Sequence, residues 1–235
     1  MFVLIRGIVL LKIRYQRWKK ELSQHKLLIL TSLGFLILAA VANSLAGIYA
    51  DRVGFSSVTD LILDHLPSLD LAYLLVYGYI MVILVLFLYP LFFKVRTFHV
   101  VVVQASLLII VRSIFMTFTH LKEPAEAVIT DVPRLYSLFN YQNDLFFSGH
   151  TAIPFLGFLL FRKDKIRTFF LLSTIVMAAT VLLMHVHYSI DVFSAFFITY
   201  GIYKIGQRLV AKFDSMAFRR TAKSSQTMAS PTEDS

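Results

Sequence analysis

Two short stretches hold most of the chemistry this chain could do: Ser148-Gly149-His150 and His185-Val186-His187-Tyr188-Ser189-Ile190-Asp191. If the second stretch is helical, His187 and Asp191 lie one turn apart on the same face. The Asp191 carboxylate then accepts a hydrogen bond from one imidazole nitrogen, which fixes the tautomer and leaves the other nitrogen free to attack an electrophile. His150 adds a second imidazole at the start of another predicted helix. Ser148 stands where its hydroxyl can cap orphan amides, and Gly149 lets another group approach the backbone closely. Amides at a helix N-terminus favour phosphate oxygens. The package suits binding a phosphoryl group and handing it a proton. His-x-His and His-x-x-x-Asp are also acceptable metal spacings. A helical His-x-His, however, points its rings about 200° apart, and no glutamate stands close in sequence to act as base. The purely structural readings are a helix cap beside an interfacial histidine for the first stretch and a helix-stabilising pair for the second.

The elements that must position these residues are apolar. The 235-residue chain is 57% hydrophobic, with 22 phenylalanines, and its mean hydropathy is +0.72. Soluble domains lie nearer about 45–50% apolar, so the fold class is an all-α integral membrane bundle. Ionisable groups inside such a bundle are unfavourable by several kcal/mol unless they work or pair. The formal charge of +9 is spread in short basic clusters between apolar runs. That pattern fits loops and tails meeting anionic lipid and excludes a nucleic-acid surface. With no cysteine, disulfides and Cys-ligated metal centres are excluded.

Six apolar runs are predicted as spans, at about 27–48, 71–93, 98–118, 147–161, 168–184 and 189–205. The fifth is expected to extend over 166–185, and the fourth must begin at or before His150. Lys94, Arg96, Arg162, Lys163, Lys165, Arg167 and the basic residues of both terminal segments fall on one side of this six-span scheme. Asp51, Asp60, Asp64, Asp70, Glu123, Glu126 and Asp131 fall on the other. The positive-inside rule then makes both termini cytoplasmic and gathers His150, His187 and Asp191 at the non-cytoplasmic face. Residues 1–24 are expected to be an interfacial amphipathic segment, 25–206 the transmembrane catalytic domain, and 207–235 a basic, largely disordered cytoplasmic tail. Trp18, Tyr136 and Tyr141 fit interfacial anchoring. His25 and His65 read as loop or interface residues. His99 lies on the wrong side for this chemistry, and His120 lies on the correct side with no partner evident in sequence.

Asn143-Asp144-Leu145-Phe146-Phe147-Ser148-Gly149-His150-Thr151 and His185-Val186-His187-Tyr188-Ser189-Ile190-Asp191-Val192 together resemble the type 2 phosphatidic acid phosphatase superfamily, and within it the sphingomyelin synthase-like branch. Pro67-Ser68-Leu69-Asp70 is similar to that branch's Pro-x-Leu-Pro-Asp element with one proline missing. Arg112 with Thr119 is similar to its Arg-x6-Thr element. The wider superfamily's Lys-x6-Arg-Pro element is absent, and the place of its arginine six residues before His187 is taken by Val181.

The resemblance implies a membrane phosphotransferase with no metal or other cofactor. A phospho-headgroup, phosphocholine or a relative, would pass from a glycerophospholipid donor to a lipid alcohol acceptor such as ceramide. His187, oriented by Asp191, would be the nucleophile and form a phosphohistidine; His150 would act as acid and then base. Arg112, with Arg134 as a second candidate, and the amides around Ser148 and Gly149 would bind the phosphate. Asp144, His185 and Tyr188 would take secondary roles in tuning or positioning. Two other readings compete: a lipid phosphate phosphatase using the same residues, and a non-catalytic transporter or structural membrane protein.

Overall fold

A computed structural model of the chain describes residues 2–53, 56–128 and 145–229, with side chains over 12–53, 56–128 and 145–212. These residues form α1 (Phe2–Gln24), α2 (Lys26–Val53), α3 (Ala72–Phe93), α4 (Val95–Phe118), α5 (Gly149–Leu160), α6 (Ile166–Leu183) and α7 (Ser189–Ala229), with a 3-10 turn at Leu63–His65. There is no strand among the described residues, so the all-helical expectation holds. Four helices, α2, α3, α4 and α6, are long and apolar enough to cross a bilayer, and α5 is a shorter apolar helix. The boundary expected at residues 206 and 207 falls inside α7.

The long apolar helices expose large apolar side chains on one face and bury small ones on the other, as α2 shows. On α2, Leu27, Leu30, Ile37, Leu38, Val41, Leu45 and Ile48 are exposed, while Ser32, Ala39, Ala46, Gly47 and Ala50 are buried. Ser32, Ala39 and Ala46 recur every seventh residue. Small side chains at that spacing let two backbones approach, which is the usual way to bind helices where water provides no driving force. The stripe packs on α4, where Met116 sits between Ala46 and Ala50. α4 is the central helix, also touched by α3, α5 and α7. Its buried Ser106 and Ser113 donate to the carbonyls of Val102 and Ile109 at 2.7 and 2.8 Å, so neither hydroxyl is left unsatisfied in an apolar setting.

At the basic end, Trp18 Nε1 donates to the Leu91 carbonyl at 2.8 Å, and Lys94 pairs with Asp164 at 2.5 Å. These contacts tie α1 to the end of α3 and the α3–α4 turn to the α5–α6 turn. α5 and α6 meet closely because residue 157 is glycine. A Cβ there would stand 2.4 Å from the ring of Phe170, which is fully buried and stacked on Phe161 at 5.4 Å. Gly157→Ala must displace two packed aromatic rings, and we expect a loss of about 1–3 kcal/mol. It should read as a melting temperature several degrees lower in detergent, with helix content unchanged below the transition.

At the acidic end the connecting segments converge on the α6–α7 turn. The Leu69 amide donates to the Leu183 carbonyl at 2.7 Å and the Val128 amide to the Met184 carbonyl at 3.0 Å. Asp70, one residue before the capping position, accepts from the Ala72 amide at the start of α3 at 3.0 Å. The Pro67–Asp70 element thus meets the end of α6 and the first residue of α3.

Candidate active site

The α6–α7 turn is built by its own backbone. α6 ends when the His185 amide donates to Leu182 O at 3.0 Å and the Val186 amide to Val181 O at 3.2 Å. That pair of bonds closes a helix with a left-handed residue at the position usually given to glycine. Here it is His185, with φ of 54°. The chain then turns through His187 and re-enters a helix at Ser189.

His187 precedes α7; it is not on it. The prediction of a helical His187–Asp191 face is corrected on this point, although the pair itself forms. Tyr188 occupies the helix-capping position, its carbonyl accepting from the Asp191 amide at 3.0 Å. Asp191 Oδ2 reaches back to the Tyr188 amide at 3.0 Å and accepts from His187 Nδ1 at 3.2 Å. A carboxylate three residues after a cap is well placed to close that amide; the same oxygen fixes the imidazole and leaves Nε2 as the nitrogen not bound to Asp191. Asp191 is fully buried and His187 nearly so, at 4% exposure.

The second stretch meets the first directly. The Ser148 amide donates to the Asp191 carbonyl at 3.1 Å, which brings the start of α5 against the start of α7. The rings of His150 and His187 meet edge to face with centroids 6.0 Å apart. At that spacing the two imidazoles are close neighbours and can act on the same bound group. Ser148 is the residue before α5, but its hydroxyl makes no cap hydrogen bond; it receives one from Thr151 Oγ1 at 3.4 Å. This corrects the expectation of a serine cap. With no side-chain cap, the first-turn amides of Gly149, His150 and Thr151 have no intrahelical acceptor.

Arg112 arrives from α4. Its Nε donates to the Phe147 carbonyl at 2.9 Å, and its guanidinium lies over Gly149, where a Cβ would come within 3.2 Å of Nε. The glycine is what allows the cation to rest on the turn beside His150. Thr119, by contrast, bonds back to Phe115 O at 3.1 Å within α4.

The other predicted residues divide. Tyr188 turns away from His187: its hydroxyl donates to Lys122 O at 2.9 Å and accepts from the Val58 amide at 3.1 Å. His185 pairs with a different carboxylate from His187, its Nδ1 lying 3.8 Å from Glu126 Oε2. His120 has a partner after all, the Tyr49 hydroxyl at 3.2 Å. His99 is buried and stacks on His25 at 6.4 Å. Asp144, Arg134, Tyr136 and Tyr141 lie outside the described residues.

Two contributors were not singled out from sequence. Tyr79 of α3 lays its ring against His150, centroids 4.4 Å apart, with its hydroxyl 3.4 Å from the Gly149 carbonyl. Asp60 reaches the first amide of α7, Ser189, at 2.7 Å. Tyr79 sits in an otherwise apolar span and Asp60 in an acidic loop, so neither has a local signal.

From His150, Gly149 and Arg112 a cavity of about 310 Å³ runs between α2, α3 and α4. Its walls are Leu36 and Ala40, Tyr79, Ile83 and Phe87, and Leu108 and Ile109, with Asn43 the single uncharged polar group beyond the tyrosine. Arg112 and His150 give the cavity a polar, cationic part, and most of the remaining lining is apolar.

Comparison with known proteins finds no matching curated protein and no matching solved structure. A family model described as PAP2 superfamily C-terminal matches residues 143–207. Arg112, Tyr79 and Asp60 lie outside that segment, but His150, His187 and Asp191 all lie within it. The match supports placing the chain with the type 2 phosphatidic acid phosphatase superfamily.

Proposed function

We propose that the chain is a membrane phosphotransferase of the sphingomyelin synthase-like kind, moving a phosphocholine-like headgroup from a glycerophospholipid to a lipid alcohol such as ceramide. The observation that carries this reading is the apolar cavity lined in part by His150 and Arg112. A soluble phosphate ester has no use for such apolar walls, whereas a lipid needs both them and the polar lining. The family match adds a superfamily whose members act on phosphate esters.

In the first step His187 Nε2 attacks phosphorus and the bond to the diacylglycerol oxygen breaks. His150 gives its proton to that oxygen, and a phosphohistidine remains. In the second step the acceptor hydroxyl attacks phosphorus, His150 takes its proton, and the nitrogen–phosphorus bond breaks. Arg112 and the first-turn amides of α5 stabilise the phosphoryl oxygens in both steps. Asp191 keeps the His187 tautomer throughout. We further propose that α5 and α7 complete six crossings with both termini cytoplasmic and the site at the non-cytoplasmic face. At 12 residues α5 rises about 18 Å, so it reaches across only together with the segments at its two ends.

A phosphatase, with water as acceptor, uses the same first step and is favoured by the match to the superfamily at large. Purified chain in mixed micelles with headgroup-labelled phosphatidylcholine and ceramide separates the two. Transfer predicts labelled sphingolipid and diacylglycerol in equal amounts by mass spectrometry. Release of free phosphate and diacylglycerol from phosphatidic acid, supplied in place of that pair, would select the phosphatase. No diacylglycerol under either condition would overturn both.

A further inference from the structure

Both ends of the turn carrying His187 are held by segments distant in sequence, and Asp60 holds it most directly. We propose that Asp60 is a positioning residue for His187, fixing the start of α7 so that Asp191 stays committed to the imidazole. The proposal rests on reading His187 as the nucleophile.

Asp60 is 9% exposed, and both of its oxygens are engaged. Oδ1 accepts from the amides of Ile62 and Leu63 at 2.9 and 3.2 Å, which folds the loop around it. Oδ2 accepts from the Ser189 amide at 2.7 Å. Ser189 is the first residue of α7, and its amide has no acceptor within the helix. An anion there is also favoured by the helix dipole. Burial works to raise the Asp60 carboxyl, but the hydrogen bonds from Ser189, Leu63 and Ile62 hold it below its ordinary value, so it is an anion at neutral pH.

Two adjacent amides are thus claimed by two carboxylates. Tyr188 N is held by Asp191, and Ser189 N by Asp60. Without Asp60, Asp191 is the carboxylate of this turn left to serve both amides as well as His187 Nδ1. The loop bearing Asp60 is anchored in turn. The Val58 amide donates to the Tyr188 hydroxyl, and the Lys122 amide donates to Ser56 O at 3.1 Å. A shift of the His187 ring by even about 1 Å can cost about a hundredfold in rate.

The test uses the full chain in detergent micelles. Asp60→Asn keeps the size but sets an NH2 donor against amide donors. Ser189→Pro removes the same bond from its other end, and proline is well tolerated at the first position of a helix. One readout needs no activity: deuterium exchange at the imidazole C2–H of each histidine, followed by mass spectrometry. Either variant should speed exchange at His187 about tenfold through local opening, while His25 and His99 at the far end stay within about twofold. Turnover should fall about tenfold with KM within about twofold. His187 exchange unchanged in both variants overturns the proposal whatever the lipid assay shows. Acceleration at all histidines in both variants also overturns it, since the role would then be general stability. A wild type that turns over no lipid defeats the proposed reaction instead, and exchange still decides the role of Asp60.

Discussion

His187→Ala is expected to lower lipid turnover by about 10⁴-fold or more, the scale seen when a covalent nucleophile is removed. The substitution leaves Arg112, the first-turn amides of α5 and the apolar cavity in place, so donor binding should persist with KM little changed. The loss falls on the chemical step because nothing near phosphorus replaces the imidazole. His150 faces the same space, but Asp191 orients only His187. A second measurement bears on the intermediate. Wild-type chain incubated with headgroup-labelled donor and no acceptor should retain label that survives alkali and is released by acid, as a nitrogen–phosphorus bond is, and His187→Ala should retain none. Turnover in His187→Ala within about tenfold of wild type would remove the nucleophile from the mechanism.

Much of this site was legible because its residues are contiguous. Ser148-Gly149-His150 and His187 to Asp191 each declare themselves within a few residues, and basic and acidic loops sort the two ends of the bundle. The reasons given by spacing were less sound than the pairing. A histidine and an aspartate four apart predict neighbours on a helix, yet the contact is made across a cap, with the aspartate inside the helix and the histidine before it. Ser148 occupies the cap position without capping. The apolar run 27–48 lies inside α2, and the helix continues through Asp51 and Arg52 to Val53. Contributors joined only by folding left no trace in the sequence. Asp60 and Ser189 are 129 residues apart, and Tyr79 and Gly149 are 70 apart. Tyr188 shows the converse: adjacent to His187 in sequence, its side chain leaves the site and joins the segments carrying Lys122 and Val58.

His150→Ala should divide substrates by their leaving groups. With a natural donor the departing diacylglycerol oxygen needs a proton as its bond to phosphorus breaks, and losing the general acid should cost about 10²–10⁴-fold. A p-nitrophenyl ester of phosphocholine needs no such help, because nitrophenolate leaves as an anion. Attack by His187 then proceeds in the variant at close to its usual rate. The second step still lacks its base, so the acceptor hydroxyl must lose its proton unaided. The variant should therefore release about one equivalent of nitrophenolate per chain in a rapid phase and then stall, as expected when an acyl-type intermediate forms faster than it decays. Wild type should show continuous release, and His187→Ala none. The label retained on the stalled variant should exceed that on wild type when ceramide is supplied, since only wild type can pass it on. Equal losses for the natural donor and the nitrophenyl ester would mean that His150 does not act on the leaving group. Its ring, packed on Tyr79 and edge to face with His187, would then serve to shape the pocket, and the proton would have to come from another group lining the cavity.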